Sequence, residues 1–286
     1  MVRRFTPLVL VLAAVLALAG GTACQRRTTV EPKKAEAVER WTPQFTDTFD
    51  RKETVRESTS TANSASASWW LGSGAGFTIA DGLGSTLAGD SKPGYFRSRY
   101  GLRNPVDTNG GLRPQNVFRV VTKGSWTGDV RQQCYFRIGA YDLSKSPQRY
   151  APNGLLLFNR YADEDNLYYA GIRVDGHAII KKKSAGVYYT LAEEPVFKGE
   201  YDRDTNPMLL PEDTWIGLRS VARDNADGSV TVSLYMDDGR TGTWKLLVKG
   251  IDAGVGGQPF SREGHSGIRT DFMDVQFDDY SVATTG

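Results

Sequence analysis

The sequence predicts an all-β fold, an antiparallel sandwich or barrel. Short runs of alternating apolar and polar residues recur with Gly, Asp and Asn between them, as strands joined by tight turns do. Nothing in the chain reads as a long amphipathic helix. Between Asn153 and Ala192 four β-rich runs follow closely, Leu155–Ala162, Leu167–Val174, Ala178–Lys183 and Val187–Ala192. They are separated by Asp163–Asn166, Asp175-Gly176 and Ala185-Gly186, so the stretch is a meander. Asp-Gly suits the positive-φ turn that joins two twisted strands, which makes the register derivable.

At the start, Arg3 and Arg4 precede an apolar stretch from Leu8 to Ala19, and Gly20-Gly21-Thr22-Ala23-Cys24 follows. A basic segment, a short apolar segment and a small-residue cleavage zone describe a secretory signal peptide over residues 1–23. The apolar part is too short to span a bilayer. Phe5, directly after Arg3-Arg4, breaks the twin-arginine pattern. A cleavage zone that ends at cysteine resembles a bacterial lipoprotein signal. That resemblance implies a lipidated Cys24 at the mature N-terminus and a protein held on a membrane at the cell envelope, facing periplasm or exterior. Gly21 stands where such signals usually carry Leu, so ordinary cleavage after Ala23 is the alternative.

Residues 24–43 are charged and polar (Arg26, Arg27, Glu31, Lys33, Lys34) and read as a flexible tether. Residues 44–284 suffice for one large β-sandwich domain. The chain has 2 cysteines. With Cys24 under lipid, Cys134 has no partner, and the exported domain depends on core size in place of disulfides. Cys134 lies in the strand-like run Val130–Ile138 and reads as a small buried hydrophobe. No pattern brings His177 or His265 to it for thiol catalysis. A net charge of +2 with 24% charged residues indicates no nucleic-acid partner.

Along the domain, Glu57–Ser68 is rich in Ser, Thr and Ala and reads as a surface loop. Trp69 and Trp70 on one strand point to opposite faces, which leaves one of them for sugar stacking. Arg113-Pro-Gln-Asn116 precedes the run Val117–Val121 and offers Arg113 or Gln115 to a concave face. Phe77–Ala80, Thr214–Val221, Val230–Met236, Trp244–Val248 and Met273–Val282 supply further strands. Trp215 and Trp244 sit in amphipathic runs and read as core. Asn225–Gly228 and Asp237–Gly239 carry turn chemistry.

The meander gives the candidate site. A two-residue turn at Asp175-Gly176 sets Arg173 opposite Ala178, Ile172 opposite Ile179, and Tyr169 opposite Lys182. The turn at Ala185-Gly186 sets Lys182 opposite Tyr189, and a four-residue loop at Asp163–Asn166 sets Arg160 opposite Tyr169. Opposed residues share a sheet face, so the expected row is Arg160–Tyr169–Lys182–Tyr189 with Arg173 further along. As a ligand platform, its tyrosine rings stack on sugars while its cations pair with carboxylates or sulfates, suiting a neutral or anionic polysaccharide. As packing alone, the same row is a cation–π ladder on an exposed sheet. Lys181 and Lys183 read as solvated charges that discourage edge pairing.

Phe45-Thr-Asp-Thr-Phe49-Asp50, Asn166–Gly176, Asp213–Leu218 and Val275–Val282 together resemble a concanavalin A-like lectin/glucanase domain, in the laminin G-like branch of that superfold. The likeness spans about Phe45 to Ala283. It implies a two-sheet antiparallel β-sandwich, a jelly roll, whose concave face often binds polysaccharide and whose first and last strands lie side by side. Related sandwiches carry a structural calcium ion. If the termini pair here, Asp47 and Asp50 gather with Asp278 and Asp279 as its oxygen ligands; as ordinary strand-end acids they hold nothing. In Met273–Asp279, alternation puts Asp274, Gln276 and Asp278 on one face, similar to the acid strand of glucanases. Gln276 replaces the central carboxylate there, which argues against glycosidase chemistry.

The expectation is therefore an exported, lipid-anchored module that binds polysaccharide through Arg160, Tyr169, Arg173, Lys182 and Tyr189. Its rival is a polysaccharide lyase acting by β-elimination. Arg160 and Lys182 would then neutralise a uronate while Tyr169 and Tyr189 move the protons. A non-catalytic structural or protein-interaction module is the third reading.

Overall fold

The computed structural model describes residues 40–285. The signal peptide, Cys24 and most of the expected tether lie outside the described residues. In chain order the strands are β1 (Trp41–Asp47), β2 (Glu53–Arg56), β3 (Trp69–Ser73), β4 (Gly76–Ala80), β5 (Leu83–Ser85), β6 (Val117–Trp126), β7 (Val130–Tyr141) and β8 (Gly154–Asp163). They continue as β9 (Asn166–Arg173), β10 (His177–Ser184), β11 (Val187–Pro195), β12 (Trp215–Asp224), β13 (Val230–Asp238), β14 (Lys245–Asp252), β15 (Gly264–Asp271) and β16 (Met273–Thr285). One α-helix, α1 (Tyr95–Arg103), occurs among the described residues.

These strands form the expected two-sheet antiparallel sandwich. A nine-stranded sheet runs β14-β13-β12-β7-β16-β5-β4-β2, with β1 also paired to β16; a seven-stranded sheet runs β11-β10-β9-β8-β15-β6-β3. The first strand does lie beside the last, Asp47 opposite Tyr280. Alternation decides what faces inward. On β16, Met273, Val275 and Phe277 are buried while Asp274, Gln276 and Asp278 face out. Aromatic rings from both sheets meet between them, Trp69 with Tyr280 at 4.8 Å and Phe118 with Phe277 at 5.6 Å. Truncating either pair would cost about 3–5 kcal/mol per ring. Cys134 is fully buried in this core, as expected, and burial pushes its thiol well up.

Trp215 and Trp244 depart from expectation, because β12 turns Ile216 and Leu218 inward and Trp215 out. Both tryptophans lie on the outer face of the nine-stranded sheet. The Arg137 guanidinium stacks 5.0 Å over Trp215 and that of Arg219 lies 3.9 Å over Trp244.

The meander is present as β8 to β11, but two of its three expected registers shift. The β9–β10 turn takes in Val174 as well as Asp175 and Gly176, with Gly176 at φ 81° and its N–H donating to the Arg173 carbonyl at 2.9 Å. Ala178 therefore faces Ile172, Lys181 faces Tyr169, and Lys182 faces Tyr168. Between β8 and β9 only Glu164 and Asp165 form the turn, Asp163 facing Asn166. A bulge then absorbs residues 160–162, so that Asn159 faces Tyr168 and Phe158 faces Tyr169. Arg160 sits in that bulge at φ 50°. The turn at Ala185-Gly186 matches expectation, and Lys182 faces Tyr189. A one-residue slip exchanges the two faces of a strand, so Lys182 and Tyr189 go inward and Lys181 comes out beside Tyr169.

Candidate functional site

The outer face of the seven-stranded sheet carries a continuous trough. Register places Trp70, Val121, Gly267, Phe158, Tyr169 and Lys181 in one line across six strands. A second line, Ser73, Arg119, Arg269, Leu156, Gly171 and Ile179, runs beside it. Seven strands at the usual spacing make the face about 28 Å wide. It carries an apolar cluster of its own, Val121, Leu156, Phe158, Tyr161, Leu167, Tyr169 and Ile179, separate from the core and flanked by Trp70. Trp69 points into the core and donates its Nε1–H to Asp47 at 2.7 Å, so the two adjacent tryptophans divide as expected.

At the β3 end the trough deepens into a cleft of about 800 Å³. Trp70, Val121, Phe158 and Tyr161 form its floor, and Arg119 and His265 line it with Ser58 to Thr61. Helix α1 supplies a wall through Tyr95, Phe96, Arg99 and Arg103. The buried Glu57 carboxylate holds that helix in place. It accepts hydrogen bonds from the Tyr100 hydroxyl, the Arg99 guanidinium and the Ala75 amide, while the Gly74 amide donates to the Tyr100 oxygen at 2.8 Å. Burial, with Glu57 beside it, pushes the Tyr100 hydroxyl well up, so it stays a donor. The loop after α1 lies close on the helix because residue 111 is glycine: at φ 84°, a Cβ there would stand 2.0 Å from the Arg97 carbonyl oxygen. Arg103, exposed in the last helical turn, has no ion-pair partner among the described residues.

At the other end, Tyr169 and Tyr188 lie with ring centroids 5.7 Å apart. Arg269 donates through Nε to both Asp271 oxygens at 3.0 Å. Burial raises the Tyr169 hydroxyl strongly. Burial acts the same way on Tyr188, but the positive charges of Arg269 and Lys183 outweigh it and hold that hydroxyl below its ordinary value. Lys181 is half-buried with no carboxylate in ion-pair range among the described residues, and burial and then Arg173 lower its proton affinity.

Of the five expected ligand residues, the trough receives Tyr169 and, at its margin, Arg173, whose guanidinium is engaged by Asp175 and by Glu193 at 2.9 Å. The other three lie behind the sheet. Lys182 is 0% exposed and donates to Asp252 at 2.9 Å and to the Gly257 and Gln258 carbonyls at 2.8 and 2.9 Å. Arg160 donates to Asp224 at 2.6 Å and to the Phe260 and Gly128 carbonyls. Tyr189 packs on the β14–β15 connection, where a Cβ on Gly256 would stand 2.2 Å from its ring. These side chains fasten residues 253–263 to the sandwich and are closed to a ligand. Their displacement follows from the bulge at Arg160 and from Val174 joining its turn.

The four expected calcium ligands do not fit a calcium ion. Asp47 accepts from the Phe49 amide at 2.9 Å, from Arg51 at 2.7 Å and from Trp69 at 2.7 Å, so both its oxygens are occupied. Asp50 accepts from the Thr48 hydroxyl at 2.6 Å. Asp278 and Asp279 clamp Arg240 at 2.6 and 2.5 Å. Among the described residues no three His, Cys, Asp or Glu converge as metal ligands. Arg113 and Gln115 serve Asp274, at 3.0 and 2.9 Å. The face of β16 with Asp274, Gln276 and Asp278 thus belongs to the other sheet, away from the trough.

Sequence reasoning missed Arg119, Phe158, Tyr161, Tyr188, Arg269 and the α1 wall, and set Lys181 on the wrong face. A three-residue turn at Val174–Gly176 would have recovered Lys181. Arg269 lies in Gly-His-Ser-Gly-Ile-Arg-Thr-Asp, whose small polar residues give no alternation to read.

No family model matches the sequence, and none of the curated proteins does. Solved structures are similar in architecture. One is the carbohydrate-binding module CBM66 from Bacillus subtilis, at 16% identity and TM-score 0.40 over 59% of this chain and 82% of the module. Another is a protein of unknown function with a galectin-like fold from Bacillus subtilis, at 12% identity and TM-score 0.46 over 86% of this chain and 100% of that one. A third is LamAcat from Zobellia galactanivorans, at 10% identity and TM-score 0.44 over 85% and 98%. At such distances the likeness is one of β-sandwich fold and carries over no chemistry.

Proposed function

We propose that the chain is a polysaccharide-binding module whose ligand lies in the trough on the outer face of the seven-stranded sheet. The carrying observation is the cleft of about 800 Å³ with Trp70, Phe158 and Tyr161 in its floor and Arg99, Arg103 and Arg119 at its sides. Phe158 and Tyr161 are themselves buried, so the half-buried Trp70 and the exposed Tyr95 supply the accessible aromatic surface of the cleft, and an apolar floor ringed by polar groups is how binding sites are built. Sugar rings present apolar faces to aromatic side chains and hydroxyls to the surrounding donors. A trough about 28 Å wide suits a chain of sugars better than a single one. Carriage of this module on a lipid at Cys24 belongs to the same proposal.

The test is retention on a panel of soluble polysaccharides by affinity electrophoresis. The wild-type domain should be retarded by at least one polymer. Trp70→Ala should weaken that retention by about tenfold, the usual penalty at a central aromatic contact. A domain retarded by none of the polymers, or a Trp70→Ala variant retarded as strongly as wild type, would defeat the proposal.

A further inference from the structure

The trough does not keep one chemical character along its length. Its cleft mixes Glu57, Asp163 and Glu164 with its arginines. Further across the sheet lies a hollow of about 50 Å³, lined by Arg173, Lys181 and Arg269 together with Tyr150, Tyr169 and Tyr188. Among the described residues, no Asp or Glu lines it. The acids that serve Arg173 and Arg269, namely Asp175, Glu193 and Asp271, reach those guanidinium groups from outside the hollow. Among the described residues Lys181 has no acid in ion-pair range, Glu193 acting on it only from further off, and Nε of Arg173 is buried without an acceptor. A buried N–H left unbonded is uncommon enough to ask what it is for.

We propose that this hollow is an oxyanion subsite, seating a carboxylate or sulfate group carried by the bound glycan. The inference rests on the polysaccharide reading above and narrows it to acidic polymers. Size supports a group of that kind. One water needs roughly 10–15 Å³, so the hollow holds a few oxygen atoms and excludes a sugar ring. Charge supports it as well, since three cations and three phenol hydroxyls are all groups that can donate to an oxyanion. Burial and then Arg173 lower the proton affinity of Lys181 by more than Glu193 and Tyr188 raise it. Continuity supplies the route. Tyr169, Tyr188 and Arg269 also line a narrow passage that they share with Phe158, Tyr161 and Arg119 of the cleft. A polymer stacked in the cleft therefore reaches the hollow along the same face.

The experiment measures binding of polyglucuronate, of the same polymer with its carboxyl groups reduced to alcohols, of dextran sulfate and of dextran. Wild type, Lys181→Met and Trp70→Ala are compared, with thermal melts to verify folding. Wild type should prefer at least one charged polymer to its neutral counterpart by about tenfold, as a charge-assisted hydrogen bond provides. The pair showing the preference identifies carboxylate or sulfate. Lys181→Met should bring charged and neutral chains within about twofold of each other, whereas Trp70→Ala should weaken both. Equal affinity of wild type for charged and neutral chains would overturn the subsite while leaving polysaccharide binding intact. A preference untouched by Lys181→Met would overturn it too, by exposing a diffuse charge effect. Failure of every polymer to bind would defeat the underlying reading. The subsite would then stand or fall on whether glucuronate or inorganic sulfate, and not glucose, shields Lys181 from an amine-acylating reagent.

Discussion

Lys181 and Lys182 are neighbours on one strand and live in opposite environments. Lys182 faces inward, is 0% exposed, and donates to three acceptors, Asp252 and the carbonyls of Gly257 and Gln258. An ammonium has three N–H groups, so its capacity is used up. Lys181 faces the trough with no acid in ion-pair range among the described residues, Glu193 acting on it only from further off. The same division runs through the adjacent tyrosines. The Tyr168 hydroxyl bonds to Asp252 and accepts the Phe260 amide at 2.8 Å, while Tyr169, also buried, points to the outer side of the sheet beside Tyr188. Residue type therefore says little about role in this sheet. A cation behind the sheet must be fully satisfied because water cannot reach it, and one in front can stay unpaired until a ligand arrives.

The largest effect that would break this comparison is on stability. Lys182→Ala leaves Asp252 buried without its counter-charge, and loss of one partner from such a pair costs about 3–5 kcal/mol. Lys181→Ala should cost only about 0.5 kcal/mol, as surface changes usually do. Denaturant unfolding of the two variants measures the contrast, and equal losses would show that the faces have been misassigned. The double variant Lys182→Met with Asp252→Leu sharpens the point. Replacing both partners with apolar side chains removes the uncompensated charge, so it should regain most of the loss.

The tyrosines give a smaller contrast. Tyr168→Phe deletes a donor to Asp252 and an acceptor for the Phe260 amide, which leaves buried groups unbonded and should cost about 1–3 kcal/mol. Tyr169→Phe keeps the ring in its apolar cluster and removes a hydroxyl at the trough, so its effect should appear in ligand affinity instead. If Tyr169→Phe proved the more destabilising of the two, the hydrogen-bond network behind the sheet would not be what fastens residues 253–263.

The sequence made the architecture legible because alternation is a local signal. Val275 and Phe277 inward, with Asp274 and Gln276 outward, can be read from one strand without knowing its neighbours. The candidate row was not local. It required three turn lengths at once, and two of them were disguised. Val174 is apolar and looks like the last residue of a strand, yet it belongs to the turn. Arg160 adopts φ 50° without being glycine, so nothing in its identity announces the bulge. The outer side of the sheet instead gathers Tyr169, Tyr188, Lys181 and Arg269 around one hollow. The α1 wall was invisible for another reason, since Tyr95–Arg103 folds onto the cleft by way of Glu57, a contact 43 residues away from Tyr100 in sequence.

Alkaline titration tests the two faces with the least perturbation. Burial, reinforced by the hydrogen bond to Asp252, raises Tyr168 strongly in the folded state, whereas Arg269 and Lys183 overcome burial to hold Tyr188 below its ordinary value. The signs of their contributions are opposite. The stability that comes from a raised tyrosine is complete below the unfolded value of about 10, and it drains away as pH climbs past that point. A depressed tyrosine contributes above about 10 and loses its contribution as pH falls through its folded value. Phenolate absorbance of the folded wild type should therefore show one tyrosine ionising ahead of the others, and Tyr188→Phe should lack that first step. Stability should fall on the alkaline side of about pH 10, and less steeply in Tyr168→Phe, where the inner hydroxyl is gone. Should the early step persist in Tyr188→Phe, the cations of the trough would not be focused on that hydroxyl, and the contrast between the two faces would rest on packing alone.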